Sequence, residues 1–441
     1  MHPTRRDILT QSIGLGGAMA LSQLLPVARA SSAVPTDPHR RFVFVYFPGG
    51  WDSIISLDPK DPEVYDDSSE TIYETGVQTG YRDLGFSEDP RIFTDVEGMV
   101  LGPYVGERLA AFASKMAILR GMGVVSVGHI TGTTHALTCR EPAGELPRGS
   151  SLSTLLAAAL GGEDLIPNLS AGVQTWNLDQ PDYASALAAS TGDDLQKLLQ
   201  PGLVELEPGE RDALESFFAR EAERAANPRI ASILGRRRAS RLLIEQNVSE
   251  LFDASNPELA ELVSFFDGQP RAFLAYQALT SGVSRCVTYE AHRFDDPHAG
   301  PAWRSTTPGR LAAGFQSVAL LAERLEATAH PEGGSWLDHT TIVCSSEFNR
   351  SPALNATGGR DHATTNTSLL LGAGIRGGAV IGETHPIRMA GQRVDLDTGL
   401  VDADGGAQLG HSHVGRSLLH SIGITEDIAD FRTPHIPALL S

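Results

Sequence analysis

The chain has 441 residues, of which 54 are acidic and 35 are basic, so its formal charge at neutral pH is −19. Such a surplus of carboxylates argues against general binding to nucleic acids or to anionic membranes. The three cysteines, Cys139, Cys286 and Cys344, are too few for a disulfide framework. Cys286 and Cys344 fall in strand-like runs and are predicted to be buried thiols. A single disulfide between two of the three cysteines is the alternative.

The first 30 residues are predicted to be a twin-arginine export signal. Arg5 and Arg6 precede a weakly apolar stretch at residues 8–25, and residues 28–30 (ARA) form a small-x-small cleavage pattern. A transmembrane anchor is the alternative, but polar residues interrupt the stretch, and no later segment has the roughly 20 apolar residues that a span needs. We therefore expect a periplasmic or secreted protein that uses the twin-arginine export machinery and has no stable membrane insertion.

Residues 31–441 are predicted to form a single large α/β domain. Its first strand is the continuous apolar run at residues 41–47 (RFVFVYF), which is typical of a central strand buried on both faces. A glycine turn follows and places Asp52 at the carboxyl end of this strand. The next predicted elements are an acidic loop at 58–91, a short helix at 105–114 and a strand at 116–122.

Residues 124–139 (VVSVGHITGTTHALTC) follow the second strand and are rich in His and Thr. A helix with hydroxyl caps is predicted over residues 149–160, and a short strand over 165–169. Residues 182–282 then alternate charged and apolar side chains at helical spacing. This pattern predicts a helical insertion packed on one side of the sheet and over the site.

The second half of the chain repeats the strand–helix–strand pattern of a parallel sheet. A strand at residues 285–290, an amphipathic helix at 311–327 and a strand beginning at Thr340 form a crossover unit. A further apolar run at 368–371, a glycine-rich turn at 372–382 that leads into a hairpin-like region, and a last helix at 410–422 follow. The predicted fold is a three-layer α/β/α sandwich with a mostly parallel central sheet.

Polar side chains recur after four of the predicted strands. In parallel sheets ligands bind outside the carboxyl ends of the strands, so these side chains are expected to form one site. Carboxylates together with imidazoles suit zinc, iron or manganese, and the carboxylates alone suit magnesium or calcium. The alternative is a set of polar residues that only satisfy loop backbones. The residues are Asp52, His129, Asp296, His298, Glu347, Asp361 and His362.

Several motifs resemble those of the domain-of-unknown-function family 1501. SSEFNRSP at 345–352 followed by GGRDH at 358–362 is similar to the family's SEFGRTP…GRDH pair, which is the specific part of the match. Further similarities lie at FPGGWDS (47–53), His129 with LT (137–138), DPHA (296–299), GIRGG (374–378) and DFR (430–432). The resemblance covers nearly all of residues 40–435. It implies an alkaline phosphatase-like or sulfatase-like fold.

The resemblance also implies a metal-dependent hydrolase of phosphate or sulfate esters, with a small-molecule or glycan ester as substrate and a divalent ion (zinc, calcium, magnesium or manganese). The implied ligands are Asp52, Asp296, His298, Glu347, Asp361 and His362. The implied catalytic residues are His129, His298 as ligand or general acid, and Thr131, Thr133 or Thr134 as nucleophile, with Ser53 a weaker candidate. Arg360 or Arg350 would hold the oxyanion, and a salt bridge from either to Glu347 or Asp361 is the alternative.

Phe348 departs from the superfamily pattern, because the usual metal motif there is Asp-His and this chain has Glu347-Phe348. One usual ligand is therefore missing, which makes a single metal easier to build than two. His292 is a rival to the residues at 296–298. Three functions stay open: a metal-dependent esterase, a non-catalytic binding or assembly protein of the cell envelope, and a protein with a purely structural metal.

Overall fold

The computed structural model describes residues 37, 39–161, 164–199 and 248–441, together with positions 209, 213, 216, 217 and 220. The predicted export signal at 1–30 lies outside the described residues, as do most of the helices expected between 200 and 247. No helix within the described ranges is long and apolar enough to cross a membrane.

A central sheet of eight strands organises the fold, in the order β8-β2-β7-β6-β1-β5-β3-β4. We number its strands in chain order. They are β1 (Arg41–Tyr46), β2 (Met116–Gly123), β3 (Asn168–Ala171), β4 (Leu187–Ala188), β5 (Cys286–Glu290), β6 (Thr340–Ser345), β7 (Thr365–Gly372) and β8 (Ala379–Ile381).

The sheet is parallel except for β7. β1 pairs in parallel with β5 on one side and β6 on the other, so Val43 lies between Val287 and Ile342. β7 runs antiparallel to both of its neighbours, β6 and β2. All six residues of β1 are buried, as the apolar run predicts for a central strand.

Helices cover both faces of the sheet because alternate side chains of β1 enter two different cores. Val43 and Val45 belong to one apolar cluster, with Phe273 and Phe315 from two helices. Phe42 belongs to the other cluster, which also contains residues of helices from other parts of the chain. The predicted α/β sandwich with a mostly parallel sheet is therefore confirmed.

The described helices are also numbered in chain order. They are α1 (Ser69–Thr75), α2 (Glu107–Ala110), α3 (His129–Thr138), α4 (Leu152–Leu160), α5 (Gly192–Leu199), α6 (Ala260–Phe265), α7 (Pro270–Thr280), α8 (Gly300–Ala327) and α9 (His411–Ser421). Short 3₁₀ turns lie at Ala113–Lys115, Asp182–Ala184, Val248–Phe252, Pro257–Leu259, Trp336–His339 and Pro437–Leu439.

Helix α3 was not expected, because its threonines and glycine are poor helix formers. The hydroxyls of Thr134 and Thr138 donate to the carbonyls of Ile130 and Thr134, four residues earlier, at 2.9 and 2.7 Å. Threonine can satisfy its hydroxyl within a helix in this way. The helix ends at Cys139, whose φ is 54°.

Other local predictions are wrong for identifiable reasons. The glycine-rich turn predicted at 372–382 contains a strand, β8, which pairs in parallel with β2. Antiparallel pairing follows it, between Arg393–Val394 and Ala407–Gln408, as the hairpin-like pattern predicted. Ser151 precedes α4 but does not cap it, because its hydroxyl accepts a hydrogen bond from the backbone of Trp176 at 2.9 Å. The loop predicted at 58–91 contains α1.

The helical stretch at 182–282 also contains a strand, β4, at the edge of the sheet. The cysteine prediction is confirmed, since all three cysteines are buried free thiols.

Candidate metal centre

The candidate site lies at the edge of the sheet where β1, β5 and β6 end. His129 follows β2, Asp296 follows β5 and Glu347 follows β6. His362 precedes β7, which runs antiparallel to β6, so the start of β7 meets the same edge. The topology thus places residues from four connections beside one another, as expected for a parallel sheet.

Glu347 is buried, with 1% of its surface exposed, and both of its carboxylate oxygens accept hydrogen bonds. Oε1 accepts from the backbone N–H of Gly49 at 2.7 Å and from His129 Nδ1 at 2.9 Å. Oε2 accepts from the hydroxyls of Tyr46 at 2.8 Å and Ser346 at 2.9 Å. Burial alone would raise the pKa of Glu347, but these hydrogen bonds outweigh it and lower the pKa.

The close approach of the backbone to Glu347 requires glycine at two positions. Gly49 has a φ of 100°, and a Cβ there would lie 1.8 Å from the carbonyl oxygen of Asp295. A Cβ on Gly132 of α3 would lie 2.9 Å from the Cβ of Glu347. The glycine turn after β1 therefore lets a backbone N–H reach the carboxylate, and Gly132 lets α3 pack against it.

His129 is the first residue of α3, and its ring is fixed by the bond from Nδ1 to Glu347. Its Nε2 is buried, has no hydrogen-bond partner and lies 3.3 Å from Asp296 Oδ1. Because Nδ1 donates to a carboxylate, it is Nε2 that would present a lone pair to a metal. This buried nitrogen faces the carboxylate of Asp296.

Two further imidazoles are anchored in the same way. His298 Nδ1 donates to Asp361 Oδ1 at 2.8 Å, and His362 Nδ1 donates to the carbonyl oxygen of Val127 at 2.5 Å. Burial lowers the pKa of His362, and its contact with Asp296 only partly offsets this. The bond to His298 lowers the pKa of Asp361.

All three Nε2 atoms converge on Asp296 Oδ1, at 3.3 Å from His129, 3.0 Å from His298 and 3.3 Å from His362. Arg350 is the other contact, and its Nη2 lies 2.8 Å from the same oxygen. Partial burial would raise the pKa of Asp296, but the bond from the Arg350 guanidinium, the largest opposing influence, lowers it to about 2. The carboxylate is therefore ionised at neutral pH.

Aromatic rings line one side of this cluster. Phe348 is fully buried, with ring centroids 4.3 Å from His362 and 5.0 Å from His129, and Phe294 packs edge-on against His129 at 4.9 Å. The side chain that departs from the superfamily's Asp-His pattern therefore packs against the imidazoles.

The donor set fits a divalent transition metal. Ligand atoms of His129, Asp296 and His362 all lie within 4.8 Å of one another. Two ligand atoms bound to one tetrahedral zinc, at about 2.0–2.1 Å each, lie about 3.3 Å apart. The distances from the imidazole Nε2 atoms to Asp296 Oδ1, 3.0 to 3.3 Å, are close to this spacing. Metal-binding histidines in proteins typically donate their other N–H to a carboxylate or carbonyl, as all three do here.

Asp52 and Arg360 lie outside this cluster and pair with each other. Asp52 Oδ2 lies 2.8 Å from Arg360 Nε and accepts from Trp303 Nε1 at 3.0 Å, while Oδ1 accepts from the backbone of Ile54 at 3.1 Å. Arg360 is fully buried, and its other donors bond backbone carbonyls of residues 78–79 and 351–352. The pair joins the glycine turn to the 351–360 loop.

The candidate hydroxyls have different surroundings. Thr131 and Thr133 lie on α3, and the Thr133 hydroxyl is 2.6 Å from that of Tyr46, which in turn bonds Glu347. Ser53 accepts a hydrogen bond from Asn349. No hydrogen bond between described residues joins any of these hydroxyls to the three converging nitrogens.

His292, the rival to the residues at 296–298, points elsewhere: its Nδ1 donates to the carbonyl of Arg293 at 2.7 Å. Two contributors to the site were not predicted from sequence. Tyr46 is the last residue of β1, and its position beside the glycine turn was the available signal. Arg350 was considered only as a substrate contact, or as a partner of Glu347 or Asp361, whereas it is buried and bonds Asp296.

Residues 296–398 match the model of the family described as "Protein of unknown function (DUF1501)". This match supports the resemblance to domain-of-unknown-function family 1501 over a stretch that contains Asp296, Glu347 and His362. The comparison with curated proteins gives no match.

Two solved structures illustrate the similarity to known folds. One is the crystal structure of Ps i-CgsB, with 10% identity, a TM-score of 0.36, and coverage of 90% of this chain and 76% of that chain. The other is alkaline phosphatase from the Antarctic bacterium TAB5, with 10% identity, a TM-score of 0.31, and coverage of 77% of this chain and 92% of that chain. Neither similarity bears on the chemistry of the site.

Proposed function

We propose that this chain is a metal-dependent hydrolase whose single metal is held by His129, Asp296 and His362. The observation that carries the proposal is the convergence of three imidazole Nε2 atoms on one ionised carboxylate oxygen, at 3.0 to 3.3 Å. A nitrogen lone pair that points at a carboxylate oxygen is repelled by it, unless a cation or a proton lies between the two atoms. Arg350 supplies one positive charge from outside this group.

Three protein ligands with a free position are the usual arrangement of a catalytic zinc site. The chemistry that such a metal supplies is a lowered pKa of bound water and polarisation of an ester. Zinc, manganese and iron all accept two imidazoles and a carboxylate, and this set suits calcium and magnesium less well. Phosphate or sulfate esters are the proposed substrates, on the strength of the family motifs.

The remaining residues have distinct proposed roles. Glu347 and Asp361, which the sequence suggested as direct ligands, orient His129 and His298 through their Nδ1 atoms. His298 is the most exposed imidazole of the group, with 46% of its side chain accessible, so in its doubly protonated form its Nε2 can donate a proton to a leaving group. Arg350 fixes the orientation of Asp296 and keeps it ionised.

A purely structural metal is the second candidate, and one observation favours it. His298 Nε2 lies 3.0 Å from both Asp296 Oδ1 and His362 Nε2, so His298 can serve as a fourth ligand. Four protein ligands close a zinc site and leave no position for substrate.

Metal content and turnover of matched variants test both candidates. We expect His362→Ala to lose the metal and His298→Ala to keep it while losing hydrolysis of aryl phosphates, phosphodiesters or aryl sulfates. His385→Ala, which removes an exposed imidazole elsewhere, is the control. Metal loss in His298→Ala together with no turnover by the intact protein would favour the structural metal. Full activity in both site variants would overturn the assignment.

We also propose that the protein reaches the periplasm or the exterior through the twin-arginine pathway, on the basis of Arg5, Arg6 and the cleavage pattern at 28–30. The change of Arg5 and Arg6 to lysine should retain the unprocessed chain in the cytoplasm. Normal processing of that variant would contradict the proposal.

A further inference from the structure

Three large apolar side chains are exposed beside the proposed metal ligands. Val127 and Ile130 lie two residues before and one residue after His129, and Phe294 lies two residues before Asp296. Ile130 is 60% exposed, Phe294 is 50% exposed, and Val127 is also exposed. We call these three residues the apolar rim. Single exposed apolar residues are ordinary, but several of them grouped around a polar site are typical of a surface that a ligand covers.

Phe294 connects the apolar rim to the metal centre. Its ring packs edge-on against the His129 imidazole at 4.9 Å, and the buried ring of Phe348 contacts the same imidazole at 5.0 Å. The apolar surface is therefore continuous from Phe348, past the imidazole whose Nε2 contacts Asp296, to the exposed ring of Phe294.

The backbone that carries the apolar rim is anchored. The carbonyl of Val127 accepts a hydrogen bond from His362 Nδ1 at 2.5 Å, and the carbonyl of Phe294 accepts one from Arg310. Ile130 belongs to the first turn of α3. A bound ligand can therefore cover these side chains without rearrangement of the chain.

The surroundings of His298 are polar, in contrast to those of His129. Its partner Asp361 is 55% exposed at the side chain and also accepts a hydrogen bond from Asn355 at 3.0 Å. His298 Nε2 and His129 Nε2 both contact Asp296 Oδ1, at 3.0 and 3.3 Å, so one aromatic ring is long enough to reach from one imidazole to the other. A leaving group whose oxygen lies at His298 can thus place an apolar ring on the rim.

We propose that the apolar rim binds the organic group of the ester substrate, and that this group is an aromatic ring or an alkyl group of similar size. The inference rests on the proposed hydrolase function, because the rim is continuous with the metal centre of that function. Covering the rim with apolar carbon removes apolar surface from water and stabilises the complex. A sugar in the same place would lose hydrogen bonds to water without new partners on the rim.

Binding of two phosphonates tests the proposal without any turnover. Phenylphosphonate and methylphosphonate carry the same anionic group, so the ratio of their affinities for the metal-loaded protein measures the contribution of the ring. We expect calorimetric titration to show about tenfold tighter binding of phenylphosphonate. Phe294→Ala should bring this ratio close to one, and Phe294→Leu, which keeps an apolar side chain, should retain most of it.

Two further variants complete the test. Val127→Thr combined with Ile130→Thr makes the rim polar with branched side chains and keeps the contact between Phe294 and His129, so it should also lower the ratio even if Phe294→Ala disturbs the metal. Phe93→Ala is the matched control, because Phe93 is an exposed phenylalanine in a separate two-stranded pairing. The metal content of each variant is measured beside its affinities.

The outcomes separate this inference from the hydrolase function. Equal affinities of the two phosphonates, or the same ratio in every variant, would overturn the inference and leave hydrolysis standing. A preference for phenylphosphonate that the rim variants lose, without turnover of any ester, would support the inference and overturn hydrolysis. Failure of both phosphonates to bind would overturn the inference as well.

A lipid surface is the other ligand that suits exposed apolar side chains. Sedimentation with phosphatidylcholine vesicles distinguishes the two. Vesicle binding that Phe294→Ala abolishes, together with equal affinities of the two phosphonates, would assign the rim to a membrane and overturn the proposal. We expect no vesicle binding and a phosphonate ratio that depends on the rim.

Discussion

The Nδ1 of His129 lies 2.9 Å from the carboxylate of Glu347, although 218 residues separate the two in the chain. They meet because α3 begins, and β6 ends, at the same edge of the sheet. The buried carboxylate fixes both the tautomer and the direction of the imidazole, so that Nε2 is aimed at Asp296. The orientation of the proposed metal centre therefore depends on a residue that does not itself face the metal.

Replacement of Glu347 should weaken metal binding at the proposed centre without removing a metal ligand. Glu347→Gln removes the charge that orients His129, so we expect metal affinity to fall about 10- to 100-fold. Affinity is measured by competition with a chromogenic chelator. Glu290→Gln is the matched control, because Glu290 ends β5 at the same edge but pairs with Arg271 at 2.7 Å. Unchanged affinity in Glu347→Gln would contradict the assigned role.

Asp52 is expected to matter for stability and not for metal binding. Asp52→Asn leaves the fully buried Arg360 without its ion partner, so the free energy of unfolding should fall by about 3–5 kcal/mol. Urea denaturation measures this loss, and metal content per folded molecule should stay the same. Glu326→Gln breaks an exposed pair with Lys115 and should cost at most about 1 kcal/mol. Metal loss from folded Asp52→Asn would make Asp52 a ligand after all.

The stability of the protein should fall as the pH drops from 6.5 to 4. The pKa of His135 is lowered from 6.5 to about 4, so in this window the unfolded chain binds a proton that the folded chain does not. Above pH 6.5 neither state is protonated and the effect is absent. At about 1.4 kcal/mol per pKa unit, the full loss at pH 4 is on the order of 3 kcal/mol.

Urea denaturation at pH 7 and pH 5 checks this prediction through a difference between variants. His135→Gln should show a smaller loss of stability between the two pH values than the unchanged protein does. His385→Gln, which changes an exposed ring, should show the same loss as the unchanged protein. Identical losses in all three would mean that His135 titrates normally.

Thr131 and Thr133 of α3 should be dispensable for the proposed hydrolysis. The hydroxyl of Thr133 bonds Tyr46 at 2.6 Å, and no bond between described residues joins Thr131 or Thr133 to the proposed metal ligands. We expect Thr131→Val and Thr133→Val to keep turnover of an aryl phosphate or aryl sulfate within about threefold, a change in ΔG‡ of under about 1 kcal/mol. A loss of 100-fold or more in either variant would identify that threonine as the nucleophile.

The sequence allowed the sheet to be predicted because its strands are continuous apolar runs of strand length. β1 and β6 were found in this way, and so was the edge at which their loops meet. Helix α3 was missed because its threonines bond within the helix, a compensation that average propensities do not include. The pairing of β8 with β2 was missed because it joins segments about 260 residues apart, and no local pattern records it.

The sequence predicted which side chains lie together at this edge better than it predicted how they are arranged there. His129, Asp296, His298, Glu347, Asp361 and His362 all meet at the predicted edge. Whether a carboxylate faces a metal or the Nδ1 of a histidine depends on distances of a few ångströms between distant segments. Asp52 has the expected place after β1, but it pairs with Arg360 because the 351–360 loop brings that residue beside it. Spacing in the sequence does not reveal the path of this loop.

Elemental analysis of the protein produced with its predicted export signal is the decisive measurement for the proposed metal centre. We expect about one transition-metal ion per chain, with zinc, manganese or iron as the candidates, and loss of that ion in both His129→Ala and His362→Ala while His385→Ala retains it. A protein that is purified without metal and binds none on addition, or site variants that keep a full equivalent, would contradict it.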